Sequence, residues 1–466
     1  MYNACDLVSV EEQVMRIAMT KPLFAWECLE DHPSLRTIRR FLEAIPDGKL
    51  LDSLRRHRGR GRDDYPVESL WGVVALTVLL RHPSLEACLG ELRRNEGLRR
   101  LIGIETESQA PNAWNISRFL EVLGREPHRG LLREMLGTIV RRMGGAIGDL
   151  GRDLAGDATG LSARVSRTVD GETDGLSEPS GGRKEYTDES GQVVRAVEWF
   201  GYKLHLLVDR KHEVALAYQV TAPGVADAAM IPALVEEAEG NLPAGRIRSL
   251  AYDKAADDEK THEYLDGKRI RPVIENRSLW KGERERMLPG HDGRSNVVYD
   301  EAGTVYCYDK VSDPPVRHKM AYIGHEPKRR TLKYRCPAAH QGWRCPSGKR
   351  CNAGKKYGMT VRVKRQIDLR RFPPIPRATK QFGRLYKERT SVERVNARLK
   401  VFWGADDGNI TGPTRFHAYV GTVMVVHAGL ALLLAATARK DGPLGQMRLS
   451  PIAKALGEKS AQLKAG

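Results

Sequence analysis

The sequence predicts an α/β protein: a helical first third, a mixed sheet flanked by helices, a β-rich insertion, and a helical return to the sheet. Three observations carry this. Apolar residues recur at helical spacing from 67 to 143, and short apolar runs alternate with helical segments from 150 to 276. From 277 to 378 that order gives way to glycine, proline, aromatic and cysteine residues among short Val/Tyr runs.

Taken in order, the helices fall at 67–80, at 85–102 with Ser84 and Ala87 as an imperfect cap, and at 116–143. Before them, residues 55–62 (RRHRGRGR) form a flexible basic arm. Its Arg58, Arg60 and Arg62 either contact DNA phosphates or a minor groove, or belong to a solvated loop. A strand at 153–161 ends in a turn, and polar residues 162–193 read as an exposed loop. Strands at 201–208 and 214–220 are joined by a hairpin in which Asp209 faces solvent. A helix at 227–240 is capped by Asp227, and a strand at 247–253, a short helix at 259–266 and a strand at 270–274 follow. In the insertion, 297–299 and 304–308 are strand-like. The expected division is a helical N-terminal domain over 1–145, a first part of the core over 150–276, the insertion over 277–378, a second part of the core over 379–440, and a basic tail over 441–466.

Lys and Arg number 76 against 59 Asp and Glu, a net charge of +17, which makes nucleic acid the leading partner class and an anionic membrane surface the second. No basic start followed by an apolar core opens the chain, so a cytoplasmic location is expected. Residues 416–438 lack Asp, Glu, Lys and Arg and are long enough to cross a bilayer. His417 and His427 would be costly in lipid, so the segment reads as a buried core helix and no membrane is expected as a partner. Seven cysteines, an odd and uneven set, point to a reducing compartment, with Cys5, Cys28 and Cys88 as incidental thiols.

Residues 385–400 read as one helix whose Tyr386, Arg389, Glu393 and Lys400 share an arc of roughly 60°, while Leu385, Val392, Val395 and Leu399 form a side for burial. Residues 361–400 hold 13 Lys and Arg against 3 acids, so this basic stretch suits a polyanion. Asp157 and Asp253 end two core strands, and strand ends converge at one sheet edge. Three carboxylates brought together there repel unless a hard cation neutralises them, and magnesium, with oxygen ligands and open positions, meets that need. Two such ions promote in-line phosphodiester displacement. Other acids compete less well: Asp257, Asp258 and Glu259 read as a helix start, and Asp153 lies on the same strand face as Asp157 but nearer the middle of the sheet.

The spacing Tyr386-x2-Arg389-x3-Glu393-x6-Lys400 resembles the Y-R-E-K element of bacterial insertion-sequence transposases of the DDE class. Residues 156–159 (GDAT) resemble that family's first-aspartate strand, 201–205 (GYKLH) its following strand, and 251–254 (AYDK) its second aspartate. The helical region, including residues 95–103 and 116–119, looks like the DNA-binding region ahead of the family's catalytic core. The resemblance covers roughly residues 50–435. It implies an RNase H-like core in which Asp157, Asp253 and Glu393 ligate two Mg2+, replaceable by Mn2+, while Tyr386, Arg389 and Lys400 hold DNA. It further implies terminal inverted repeats and target DNA as partners, a homodimer on paired ends, and a bacterial, nucleoid-associated setting. Two other readings stand beside an active transposase: a DNA-binding repressor or architectural protein without catalysis, and a hydrolytic nuclease of the same fold.

Within the insertion, Cys307, Cys336, Cys345 and Cys351 either form a structural zinc site or remain reduced thiols; CxxC knuckles are absent. Trp280 and Trp343 either stack on an unpaired base or pack within the protein.

Overall fold

The computed structural model describes residues 33–60, 64–164, 175–187, 192–282, 284–289, 296–407, 409–436 and 443–445. Among these residues seven α-helices come first: α1 (Pro33–Ala44), α2 (Gly48–Arg58), α3 (Val67–Leu79), α4 (Leu85–Arg94), α5 (Glu96–Arg100), α6 (Ala113–Leu123) and α7 (His128–Ala146). Two of the long predicted helices are broken. Asn95 turns out of helical geometry and its side chain accepts the Leu98 N–H, starting α5 afresh. Between α6 and α7, Pro127 has no N–H to continue a helix. Ser84 does cap α4, accepting from the Ala87 N–H at 3.1 Å. The basic arm is partly helix: Arg55 to Arg58 close α2, and Arg55 pairs with Asp52 and Glu68.

The sheet is built from β1 (Asp153–Ser162), β2 (Ser180–Thr187), β3 (Val193–Asp209), β4 (Ala215–Thr221), β5 (Ser249–Tyr252) and β6 (Arg271–Ile274), with α8 (Asp227–Asn241) and α9 (Glu259–Gly267) between its later strands. Strand β1 lies between antiparallel β3 and parallel β5, β6 runs parallel outside β5, and β4 pairs antiparallel with β3. This mixed order, with helices crossing between parallel strands, is the RNase H-like core. The predicted loop at 162–193 is a correction: β2 pairs with the first half of a 17-residue β3, making an exposed polar ribbon. Without a buried face the ribbon leaves no alternation to read. Gly201 marks its root, where φ is 153° and a Cβ would sit 2.1 Å from the Leu161 carbonyl.

Two smaller predictions also change. Ala226, not Asp227, occupies the cap position of α8, and Asp227 pairs with Lys203 at 3.0 Å. Asp209 is buried rather than solvent-facing, because its carboxylate accepts the N–H groups of Gly151, Lys211 and His212 and so shapes the hairpin.

The insertion carries two sheets. The first joins β7 (Arg286–Met287), β8 (Val297–Tyr299), β9 (Val305–Asp309) and β10 (Val316–Lys319). The second joins β11 (Ala321–Glu326), β12 (Thr331–Arg335) and β13 (Thr360–Lys364), with short helices α10 (Pro337–Gln341) and α11 (Gly348–Cys351) between the last two strands. The insertion has its own apolar cluster, including Val297, Tyr299, Val305, Leu332, Val363 and Phe372.

The chain then returns through α12 (Lys380–Lys387), α13 (Thr390–Ala397), a π-helical turn at Arg398–Phe402, and α14 (Pro413–Ala436). Helix α14 is long and apolar enough to span a membrane, but it is buried against α1, α3, α6, α7 and β4. His427 within it accepts the Ala215 N–H at 3.3 Å. It is the central helix of one continuous core running from the first helices through the sheet. Each fully buried Leu or Val there contributes about 1.5–3 kcal/mol.

Candidate active site

Two adjacent parallel strands position the first two carboxylates. Ala155 pairs with Ala251, the last pair of that register; Asp157 follows two residues on within β1 and Asp253 just past the end of β5, near enough for its charge to act on Asp157. Strand β6 continues the row, since Tyr252 pairs with Ile274 and the next residue is Glu275. On the opposite face Gly156 lets the Tyr252 ring approach: a Cβ there would lie 2.1 Å from it.

The third carboxylate arrives on α13, which packs on β1 and β3. Asn396 of this helix donates from Nδ2 to Asp157 Oδ2 at 3.2 Å, and Glu393 lies one turn earlier on the same side. Arg389 donates to Glu393 Oε1 at 2.7 Å and lies 5.7 Å from the Tyr386 ring, near enough for its charge to act on Asp157. The structure thus brings Asp157, Asp253, Glu393, Tyr386 and Arg389 to one edge.

The predicted continuous helix is interrupted. At the junction of α12 and α13, bonds tighten to i→i+3, as from the Arg389 N–H to the Tyr386 carbonyl, and after Ala397 the chain widens into the π turn. The hairpin after β3 holds this junction. Arg210 donates to the Leu385 carbonyl at 2.9 Å, and the buried Glu213 accepts from Arg394 at 2.7 Å and pairs with Arg398. Lys400, displaced by the π turn, donates to the Gly160 carbonyl at 2.6 Å and pairs with Asp406 at 3.0 Å. Arg58 is half-buried at the end of α2, Arg60 is exposed beyond it, and Arg62 lies outside the described residues.

Electrostatics separates the acids. Asp157 is 8% exposed and its carboxyl is pushed up to about 6, chiefly by burial. The Asp253 charge pushes the same way, while Lys184 and Arg389 oppose it. Asp253 is half-buried, its carboxylate accepting the Ala255 N–H at 2.9 Å, and Glu393 is exposed. Tyr386 is pushed up to about 12, first by burial and then by Glu275. Asn396 Oδ1 and Arg389 Nε are buried with no hydrogen-bond partner among the described residues. A desolvated carboxylate beside a second one, with exposed Glu393 completing an all-oxygen donor set, fits a hard divalent cation.

Three residues here escape the sequence reading. Glu275 had a signal, an acid directly after an apolar strand, as at Asp253. Asn396 lies one helical turn from Glu393, and Lys184 had no signal because its ribbon read as loop. A fourth residue works elsewhere: Asp257, expected only to begin a helix, is buried and accepts from Arg370 at 2.9 Å and Arg377 at 2.7 Å and pairs with His262. Asp258 is the cap of α9. Asp153 opens β1 opposite Ser249, whose hydroxyl it accepts, away from the site.

Residues 154–428, more than half of the chain, match the family described as Transposase DDE domain. The chain belongs to this transposase family. Residues 23–121 of the transposase also match the family described as Transposase domain (DUF772), which covers most of the helical region. No curated protein matches the chain. The protein is a DNA transposase, and its family acts on DNA with divalent metal ions such as Mg2+. Every carboxylate of the transposase's acidic edge lies within the DDE match.

Proposed function

We propose that this transposase cuts the phosphodiester at its element's ends and joins the freed 3′-hydroxyl to target DNA, as the Y-R-E-K subtype. Asp157, Asp253 and Glu393 hold two divalent cations, magnesium by preference with manganese as substitute. When bound, these cations neutralise the carboxylates and polarise the scissile phosphate. The observation that carries the reading is the approach of Asp157, on β1, and Asp253, just past the end of parallel β5, beneath the helix that bears Glu393 and whose Asn396 reaches Asp157.

Around that row, Asn396 orients the Asp157 carboxylate through its amide. Arg389 exchanges Glu393 for a DNA phosphate, for which its planar guanidinium is suited, and Tyr386 braces Arg389. Lys400, Arg58, Arg60 and Arg62 add phosphate contacts that fix register without reading sequence. A water attacks the scissile phosphorus and the 3′-oxygen departs; that hydroxyl then attacks a target phosphodiester in the same way. Two subunits pair the terminal inverted repeats, and the work takes place on DNA in the bacterial cytoplasm. In domain terms, residues 1–145 recognise DNA, 150–276 and 379–440 form the catalytic core, 277–378 is the insertion, and 441–466 is a basic tail.

The test incubates the full-length protein with terminal-repeat DNA, taken from sequence flanking its gene, and MgCl2. Strand cleavage followed by joining is expected. Binding without cleavage would establish the repressor reading instead, and cleavage without joining the nuclease reading.

A further inference from the structure

The insertion holds a chemistry that phosphodiester transfer leaves unused. In its first sheet β9 and β10 run antiparallel, with Asp309 opposite Val316 and Cys307 opposite His318. Asp309 and His318 are therefore diagonal neighbours on one face, a spacing that long side chains bridge. The loop after α10 brings Cys345 to the same place: ligand atoms of Asp309, His318 and Cys345 all lie within 4.8 Å of one another. Of the four cysteines that the sequence singles out in the insertion, Cys345 alone joins this group.

The surroundings hold these groups in place and leave each a free valence. Ser347 donates to Asp309 Oδ1 at 2.6 Å and accepts the Lys310 N–H at 3.1 Å, which ties the Cys345 loop to the end of β9. The Val311 N–H also donates to Oδ1 and the Ser312 hydroxyl to Oδ2, so three of the carboxylate's roughly four acceptor positions are filled and Oδ2 keeps one. His318 Nε2 is buried with no hydrogen-bond partner among the described residues, and its ring lies against Trp343, 4.9 Å away. Cys345 is a half-buried free thiol. Between residues 340 and 359 only Ser347 and Gly358 are buried, so this segment has almost no apolar core to hold it. Small core-poor modules are commonly stapled by a structural metal.

We propose that Asp309, His318 and Cys345 bind one zinc ion, with water in the fourth position, and that this ion staples residues 336–359 to the first sheet of the insertion. A thiolate, an imidazole and a carboxylate together favour zinc over the hard cations that an all-oxygen set takes. Tetrahedral zinc at about 2.0–2.3 Å from its ligands spaces them roughly 3.3–3.8 Å apart, so the group closes by no more than about 1.5 Å. Binding takes Cys345 as the thiolate and releases its proton to solvent. The inference is independent of the catalytic reading, because none of these residues belongs to the acidic edge.

The test measures metal in the full-length protein purified without chelator. About one zinc per chain is expected, and cobalt substitution should give thiolate-to-metal charge-transfer absorption. His318→Ala and Cys345→Ser should each lower zinc content at least about tenfold, while Cys351→Ser and Glu393→Gln keep their zinc. In the wild type, zinc should shield the Cys345 thiol from an alkylating reagent and a chelator should expose it, a readout that needs no variant to fold. Wild-type protein that holds no zinc, both as purified and after ZnCl2 is added, would overturn the proposal. Zinc kept in His318→Ala but lost in Cys351→Ser would overturn this ligand set.

Discussion

Two buried aspartates, Asp157 and Asp257, sit in one core and are driven in opposite directions. Asp157 lies midway along β1 near Asp253, and its carboxyl rises to about 6. Asp257 is also buried, yet its carboxyl falls to about 2: burial opposes ionisation, and His262, Arg377, the Arg277 N–H and Arg370 together overcome it. The first carboxylate is only partly offset by Lys184 and Arg389; the second is neutralised by Arg370 and Arg377, which the end of the insertion delivers to the core. Burial alone therefore does not mark a functional acid. What marks it is burial without enough cation supplied by the fold.

The largest expected effect is on chemistry. Asp157→Asn and Glu393→Gln should each lower strand cleavage at least about 10³-fold, or about 4 kcal/mol, with DNA affinity nearly unchanged. Cleavage and gel-shift assays on the same labelled DNA check this, and equal losses of both would remove these residues from the chemistry. Next comes the anchor. Asp257→Asn should destabilise the fold by about 3–5 kcal/mol in urea titration, because Arg370 and Arg377 lose their counter-ion. A cost below about 1 kcal/mol would break the contrast.

Smaller effects follow with pH. A carboxyl whose folded pKa is raised binds more protons when folded, so the penalty from Asp157 grows as pH rises from 3.8 through about 6. Without divalent cations, Asp157→Asn should thus be more stable than the parent at pH 7 by roughly 2–3 kcal/mol, with the difference vanishing below pH 4 and shrinking when Mg2+ is added. For Asp257 the sign reverses: its contribution is complete above 3.8 and is lost as pH falls towards 2. Denaturation curves of both variants across pH measure the two slopes, and parallel slopes would contradict the opposed environments. Smallest is Lys400→Ala, expected to flatten the salt dependence of DNA binding by about one phosphate contact. An unchanged slope would leave Lys400 as a brace between the Gly160 carbonyl and Asp406.

Much of this was legible because the relevant signals are local. Apolar runs followed by an acid single out Asp157 and Asp253 as candidates, which the fold brings near one another, and the charge-free stretch in α14 reveals a core helix. The polar ribbon of β2 was not legible, since an exposed strand has no alternation. Nor was the break at Arg389 with the later π turn, which hydrogen-bond patterns and the Arg210 and Glu213 clamps accompany rather than any helix-breaking residue.

By itself, the sequence determined the residue types of the acidic edge, most of the core elements along the chain, and the presence of a cysteine-bearing insertion. Tertiary structure alone decided which acids meet a cation from the chain. Ionisation in a low-dielectric interior depends on neighbours within a few ångströms, and here those neighbours are far apart in sequence: Asp157 with Asn396, Asp257 with Arg377.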